Sequence, residues 1–88
     1  MYSESIIVEN KTGVHARPAV LFVQTAAKFQ SNITIKKNDV TASAKSIINI
    51  LSLGITRGDE IMISAEGKDE EVAVKELVRL IKTKFGED

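Results

Sequence analysis

The sequence predicts an α+β fold, a four-stranded sheet with three helices on one face, in the order β-α-β-β-α-β-α. Three observations predict it. Short β-branched or alternating runs stand at 5–9, 33–36, 40–43 and 60–66. Apolar residues recur at helical spacing after Ala16 and again after Asp69. Turn formers at Gly13, Asn38-Asp39, Gly54 and Gly67 separate the runs. With 88 residues the chain has room for one modest core, since a chain near this length buries roughly 60–65% of its unfolded surface. We expect residues 1–88 to form one domain, without repeats, linkers or low-complexity tracts.

Each element has a local reason. Ser5-Ile6-Ile7-Val8-Glu9 is short and β-branched, hence a strand, and Asn10-Lys11-Thr12-Gly13 breaks it. Gly13 permits a tight turn, and Pro18 fits only the first turn of a helix, where a missing N–H costs little. Ala19, Val20, Val23, Ala26 and Ala27 then form a stripe, with Gln24 and Lys28 opposite. Its small alanines let the helix lie close on a sheet, and it should end near Phe29–Asn32. Ile33–Lys36 alternates strictly, Asn38-Asp39 tolerates the left-handed conformation of a two-residue turn, and Val40–Ser43 returns antiparallel. A short helix follows, with Ser46 as its N-cap and Gly54 just past its end. Arg57-Gly58-Asp59 is turn material, and Glu60–Glu66 alternates as a strand. The last helix has Asp69, Glu70 and Glu71 at its start and Lys82 and Lys84 near its end, as the macrodipole favours. Its inward face is Ala73, Leu77, Leu80 and Ile81, with Lys84 past the buried part and Gly86 closing the helix.

Composition excludes several classes of function. Hydrophobic content of 43% and charged content of 27% belong to a folded globular chain rather than a disordered one. Twelve basic and 12 acidic residues give a formal net charge of +0, so neither a direct nucleic-acid partner nor a membrane surface is expected. The absence of Cys removes disulfides, redox pairs and thiolate metal sites, and one His alone makes no metal centre. No metal or cofactor is expected. The start of the chain is polar and lacks a basic leader, and no apolar run approaches ~18 residues, so a cytoplasmic location is expected.

The stretch Thr12–Ala19 holds the only His and the only Pro. It reads as strand end, turn and helix start, which sets the His15 imidazole at or next to a helix N-cap with Arg17 two residues on. The positive end of the dipole and the unpaired N–H groups of a first turn gather there. Those groups keep the ring neutral and nucleophilic, and they favour a phosphate once it is attached. Arg17 offers a planar fork to phosphate oxygens, Thr12 a hydroxyl from the turn, and Ala16 a first-turn backbone N–H. The local pattern leaves the plainer alternatives open: a capping His without chemistry, a solvated Arg, a Thr that only makes a turn. An autonomous hydrolase would need a base, a metal or an oriented water, and this stretch offers none.

Ser46 is either a cap alone or a second phosphate acceptor. A phosphate there would add roughly −1.5 to −2 charges at a helix start that tolerates them. The short helix carries Ile47, Ile48, Ile50, Leu51 and Leu53 on nearly all sides, with only Asn49 and Ser52 polar. One sheet cannot cover every face, so Ile47, Ile48 and Leu51 are expected to form an exposed docking patch. The alternative places all of them in the core.

At these residues the chain closely resembles the HPr family, the histidine-containing phosphocarriers of the bacterial phosphoenolpyruvate-dependent sugar phosphotransferase system. The resemblance covers essentially the whole chain. It is carried by Gly13-Val14-His15-Ala16-Arg17-Pro18-Ala19, and by Lys45-Ser46-Ile47-Ile48 followed by Leu51-Ser52-Leu53-Gly54, similar to the regulatory serine motif of Gram-positive bacteria. It implies an open-faced two-layer β-sandwich, with a four-stranded antiparallel sheet under three helices. It also implies a monomeric carrier rather than an enzyme. His15 would accept phosphate at Nδ1 from phospho-enzyme I and pass it to IIA domains of sugar permeases, assisted by Arg17. An HPr kinase/phosphorylase would act on Ser46, slowing loading and promoting binding to a catabolite-control transcription factor. A chain whose main output is that Ser46-dependent binding, a corepressor module, is the second reading. The sequence departs from the family pattern at Val14, where Leu or Ile is usual, at Asn38-Asp39, which lacks a common Gly, and at Ile48 and Leu51, which replace frequent methionines.

Overall fold

The computed structural model describes residues 1–14 and 16–86. Strand β1 (Tyr2–Ile7) leads to helix α1 (Ala16–Ala26), then to the hairpin of β2 (Asn32–Lys37) and β3 (Val40–Ser43). Helix α2 (Ile47–Ser52), strand β4 (Glu60–Glu66), helix α3 (Glu70–Lys82) and a 3-10 turn (Lys84–Gly86) complete it. The sheet order is β1-β4-β2-β3, with every neighbouring pair antiparallel. β4 therefore lies between β1 and β2, and β2 between β4 and β3. Both β-α-β units are split by a strand of the other, which locks the two halves into one sheet.

Alternation along each strand decides its two faces. Ile61, Ile63 and Ala65 of β4 line up with Ile33 and Ile35 of β2 and Ala42 of β3, all buried on the helix side. Against them lie Phe22 and Ala26 of α1 and Ala73, Val74, Leu77, Val78 and Ile81 of α3. Burying each large aliphatic or aromatic side chain contributes roughly 1.5–3 kcal/mol. The opposite face carries Ser3, Ser5, Thr34, Thr41 and Ser64 and no helix; there the Ser3 hydroxyl donates to Ser64 Oγ across the strands at 2.8 Å. The expected open-faced α+β sandwich is the observed one.

Boundaries differ where pairing or packing outweighs local pattern. β1 starts at Tyr2 rather than Ser5, because Tyr2 and Ser3 find partners in Ala65 and Ser64 of the central strand. Val8 lies past its end, buried, with its N–H donating to the Asp59 carbonyl at 2.9 Å. The inward stripe of α1 is Pro18, Ala19, Phe22 and Ala26, so Phe22 is its centre, while Val20 and Ala27 are exposed. α1 ends at Ala26 because the next bonds tighten to three-residue spacing, from Lys28 N–H to Thr25 O and from Phe29 N–H to Ala26 O. In α3, Val74 and Val78 join the buried face and Leu80 is half-buried. The chain then bends through Lys84 and Phe85, both at φ 56°, which turns the Phe85 ring into the core. The hairpin turn, with Asn38 at φ 55°, and the bounds of β4 match the expected positions.

Candidate functional site

The turn before α1 is fixed from two sides. Within it, Gly13 N–H donates to Asn10 O at 3.1 Å, and Asn10 Nδ2 donates to Gly13 O at 2.7 Å and to Thr12 Oγ1 at 3.4 Å. From outside, Val14 N–H donates to Ile55 O at 3.1 Å, and the Val14 side chain is buried. Gly13 has φ 65°, and a Cβ there would meet the Ile55 carbonyl oxygen and come within 2.8 Å of Thr56 Cα. Only glycine allows both that conformation and that closeness. His15 lies outside the described residues; Val14 before it ends this held turn, and Ala16 after it is the first residue of α1.

α1 has no acidic residue in its first turn. Arg17 is exposed and forms no ion pair with the described residues, so its fork is open to an anion from solvent. Thr12 and Ala16 are exposed beside it. Pro18, third in α1, is buried, so the helix start is anchored by packing as well as by the turn.

The wall behind the turn is the segment Gly54–Asp59. Asp59 Oδ2 accepts from Thr56 N–H at 2.8 Å and Thr56 Oγ1 at 3.1 Å, and pairs with Lys37 Nζ at 2.9 Å. Lys37 Nζ also donates to Gly54 O at 2.8 Å. The Thr56 N–H first, and the Lys37 ammonium second, hold the Asp59 carboxyl below its ordinary value. These residues carried no functional signal beyond a turn. The signal that could have found them is Thr56-x-x-Asp59, the spacing at which a carboxylate closes a turn on its own backbone.

Ser46 is the N-cap of α2, in extended conformation, and its hydroxyl oxygen accepts from Asn49 N–H at 3.4 Å. Of the three expected patch residues, Ile48 is 74% exposed and Leu51 41% exposed. Ile47 differs from expectation: it is half-buried and packs against the core, because the first turn of α2 leans on the layer that holds Ile50 fully buried. Ser46 thus stands at the start of α2, Arg17 and Ala16 at the start of α1, and α1 packs against both α2 and α3. Among the described residues no group of three or more His, Asp or Glu could hold a metal ion, and no described helix is long and apolar enough to cross a membrane.

Residues 2–83 match the family model described as PTS HPr component phosphorylation site. The phosphocarrier protein HPr of Haemophilus influenzae is 43% identical over 83 residues, covering 94% of this chain and 98% of that protein. The crystal structure of an HPr from Thermoanaerobacter tengcongensis is 55% identical, with a TM-score of 0.98 over 100% of this chain and 99% of that one. Crh of Bacillus subtilis, a catabolite repression protein crystallised as a swapped dimer, is 37% identical, with a TM-score of 0.77 over 96% and 97% of the two chains.

Proposed function

The chain belongs to the HPr family of phosphotransferase-system phosphocarriers, and on that premise we propose that residues 1–88 form one carrier domain loaded on His15. Proteins of this family are carriers rather than enzymes. What carries the reading is the place of Gly13–Ala19: inside the matched residues, on a turn held at Gly13 and Val14, at the start of α1. The neutral ring attacks the phosphorus of phospho-enzyme I. A P–N bond forms at Nδ1, and the donor's bond to phosphorus breaks with its electron pair left on the donor. The same exchange in reverse sends the phosphate to a IIA domain. Arg17, Thr12 and the Ala16 N–H stabilise the oxygens, and the lack of acidic residues in the first turn leaves no like charge to oppose them.

Ser46 is the regulatory acceptor, modified by an HPr kinase/phosphorylase and then presented to a catabolite-control transcription factor. Ile48 and Leu51, with Arg17 and the exposed part of Ile47, form the surface these partners touch. The chain works as a cytoplasmic monomer and binds nucleic acid only through that factor. The similarity to Crh favours, as a second reading, a corepressor whose main output is the Ser46-modified form.

The experiment is labelling with phosphoenolpyruvate and enzyme I. An acid-labile adduct lost in His15→Ala supports the carrier, and no adduct on the wild-type chain refutes it. With kinase and ATP, an acid-stable phosphate lost in Ser46→Ala supports the regulatory site. Arg17→Ala is expected to slow transfer to a IIA domain by about tenfold, the loss of one charge-assisted contact. Circular dichroism should show its fold intact, since the side chain is exposed. Unchanged transfer rates would remove Arg17 from the site.

A further inference from the structure

Resting on the reading that His15 carries phosphate, we propose that Lys37 and Asp59 are positioning residues for the transfer, clamping the segment Gly54–Asp59 on which the His15 turn rests.

Lys37 is an anomaly in its strand. Register and alternation put it on the same side of the sheet as Ile33 and Ile35, where an apolar residue would continue the core. It is a half-buried charge instead, with 21% of its side chain exposed, and its desolvation is offset by two partners: the Asp59 carboxylate and the Gly54 carbonyl. Those partners are the two ends of one loop. The far end of that loop is already tied to the sheet by main-chain bonds, from Gly58 N–H to Val8 O at 2.7 Å and from Val8 N–H to Asp59 O at 2.9 Å. Among the described residues the near end, Gly54–Thr56, makes no such main-chain bonds to the sheet. Ile55 is buried in the core, Gly54 N–H donates to Leu51 O at 3.2 Å and Asp59 N–H to Thr56 O at 3.0 Å, and the side chains that brace the two residues flanking Ile55 are Lys37 at Gly54 and Asp59 at Thr56.

The near end is the part that matters for the turn. Ile55 O receives the Val14 N–H, and Ile55 and Thr56 backbone atoms are the surface against which Gly13 closes. A loosened clamp lets that surface shift, and the peptide entering His15 shifts with it. Phosphoryl transfer depends on the alignment of attacking atom and leaving group, and a misplacement of about 1 Å can slow a reaction about 10²-fold. Neither residue lies in the exposed patch of α2, so docking is left alone.

The test uses the full chain as the varied substrate of enzyme I with phosphoenolpyruvate. The variants are Asp59→Asn, which keeps the shape, and Lys37→Met, which keeps the packing stem. Turnover is expected to fall about tenfold in each while KM stays within twofold. The double variant should lose no more than the worse single, as members of one clamp should. Lys37→Arg should recover most of the turnover, and the Val14 amide should exchange faster with solvent in the two slow variants. Assays are run where circular dichroism shows folded protein, and either variant alone decides if the other does not fold. Wild-type turnover in folded Asp59→Asn or Lys37→Met would overturn the proposal, as would a loss that merely tracks the unfolded fraction. If the wild-type chain took no phosphate on His15, the carrier reading itself would fall. If it did and the variants matched it, only the clamp would.

Discussion

The start of α1 and the start of α2 are the two positions proposed for a phosphate, and they are built in different ways. α1 runs 11 residues and follows a turn whose backbone is held at Gly13 by Asn10 within the turn and at Val14 by Ile55 of a separate segment. α2 runs 6 residues and begins at Ser46, which is its own cap through a bond of 3.4 Å. At α1 the geometry is fixed ahead of the proposed acceptor, as a group proposed to face one partner after another would require. At α2 the proposed acceptor is itself the cap, and it is half-buried. On that proposal alignment is prepared at the first site, while the second needs only an accessible hydroxyl whose charge can change.

The sharpest way to break this comparison is to substitute two glycines with nearly the same backbone. Gly13 at φ 65° is closed in by Ile55 and Thr56 backbone, whereas Gly54 at φ 61° has nothing within 4 Å of a new Cβ. Gly13→Ala combines strain with a backbone collision and should cost about 3 kcal/mol or more, with a transfer rate lower by over tenfold. Gly54→Ala meets only the conformational penalty, about 1 kcal/mol, and should transfer normally. Urea unfolding and the enzyme I assay check both. Equal costs would mean that the turn is not a preformed cradle.

Within α2 the same logic separates neighbours. Ile47→Asp sets a carboxylate against the core and should destabilise by about 2 kcal/mol. Ile48→Asp alters a 74% exposed position and should cost under about 0.5 kcal/mol while weakening partner binding. Melting curves and titration with a IIA domain distinguish them. A stable Ile47→Asp protein would mean that Ile47 serves the docking face alone and contributes nothing to the core.

Much of this was legible in the sequence because short-range physics fixes it. The hairpin needs a left-handed turn at Asn38, β4 needs alternation, Ser46 needs only Asn49 three residues on, and all three stand where local pattern puts them. The motif at Gly13–Pro18 likewise marked a turn entering a helix. What was not legible came from contacts distant in sequence. The extension of β1 to Tyr2 depends on Ala65, the central place of Phe22 depends on how α1 is rotated over the core, and the half-burial of Ile47 depends on the layer beneath α2. The wall behind the turn is the clearest case. Lys37 and Asp59 are 22 residues apart by number, and nothing near either one announces the other.

A third effect appears only in acid. Asp69, just before α3, accepts from the Ser31 hydroxyl, from Ser31 N–H at 3.0 Å and from Gln30 N–H at 2.9 Å, tying the segment after α1 to the start of α3. The Ser31 hydroxyl first, then the Gln30 N–H, hold its carboxyl below the ordinary value. A depressed folded value means that the stabilisation is complete above the unfolded value of about 3.9 and is lost as pH falls through the folded one. Asp59 contributes with the same sign. Stability should therefore decline below about pH 4, and Asp69→Asn should flatten that decline in urea titrations at successive pH. An unchanged slope in Asp69→Asn would assign the acid sensitivity elsewhere.

A small expected effect best separates the two helix starts. The Ser46 cap bond is at the long end of useful geometry, so Ser46→Ala should cost only about 0.5 kcal/mol, the low end for a lost cap. α2 should persist, because Ile50 is fully buried and anchors it from below. The same substitution should nevertheless remove all acid-stable label from HPr kinase and ATP. A change nearly silent in stability and complete in modification is what an accessible acceptor predicts, and it is the opposite of Gly13→Ala, where frame and function fail together. Thermal unfolding and kinase labelling of one Ser46→Ala preparation read both quantities. A stability loss as large as that of Gly13→Ala would make Ser46 part of the frame, and the two helix starts would then be sites of one kind.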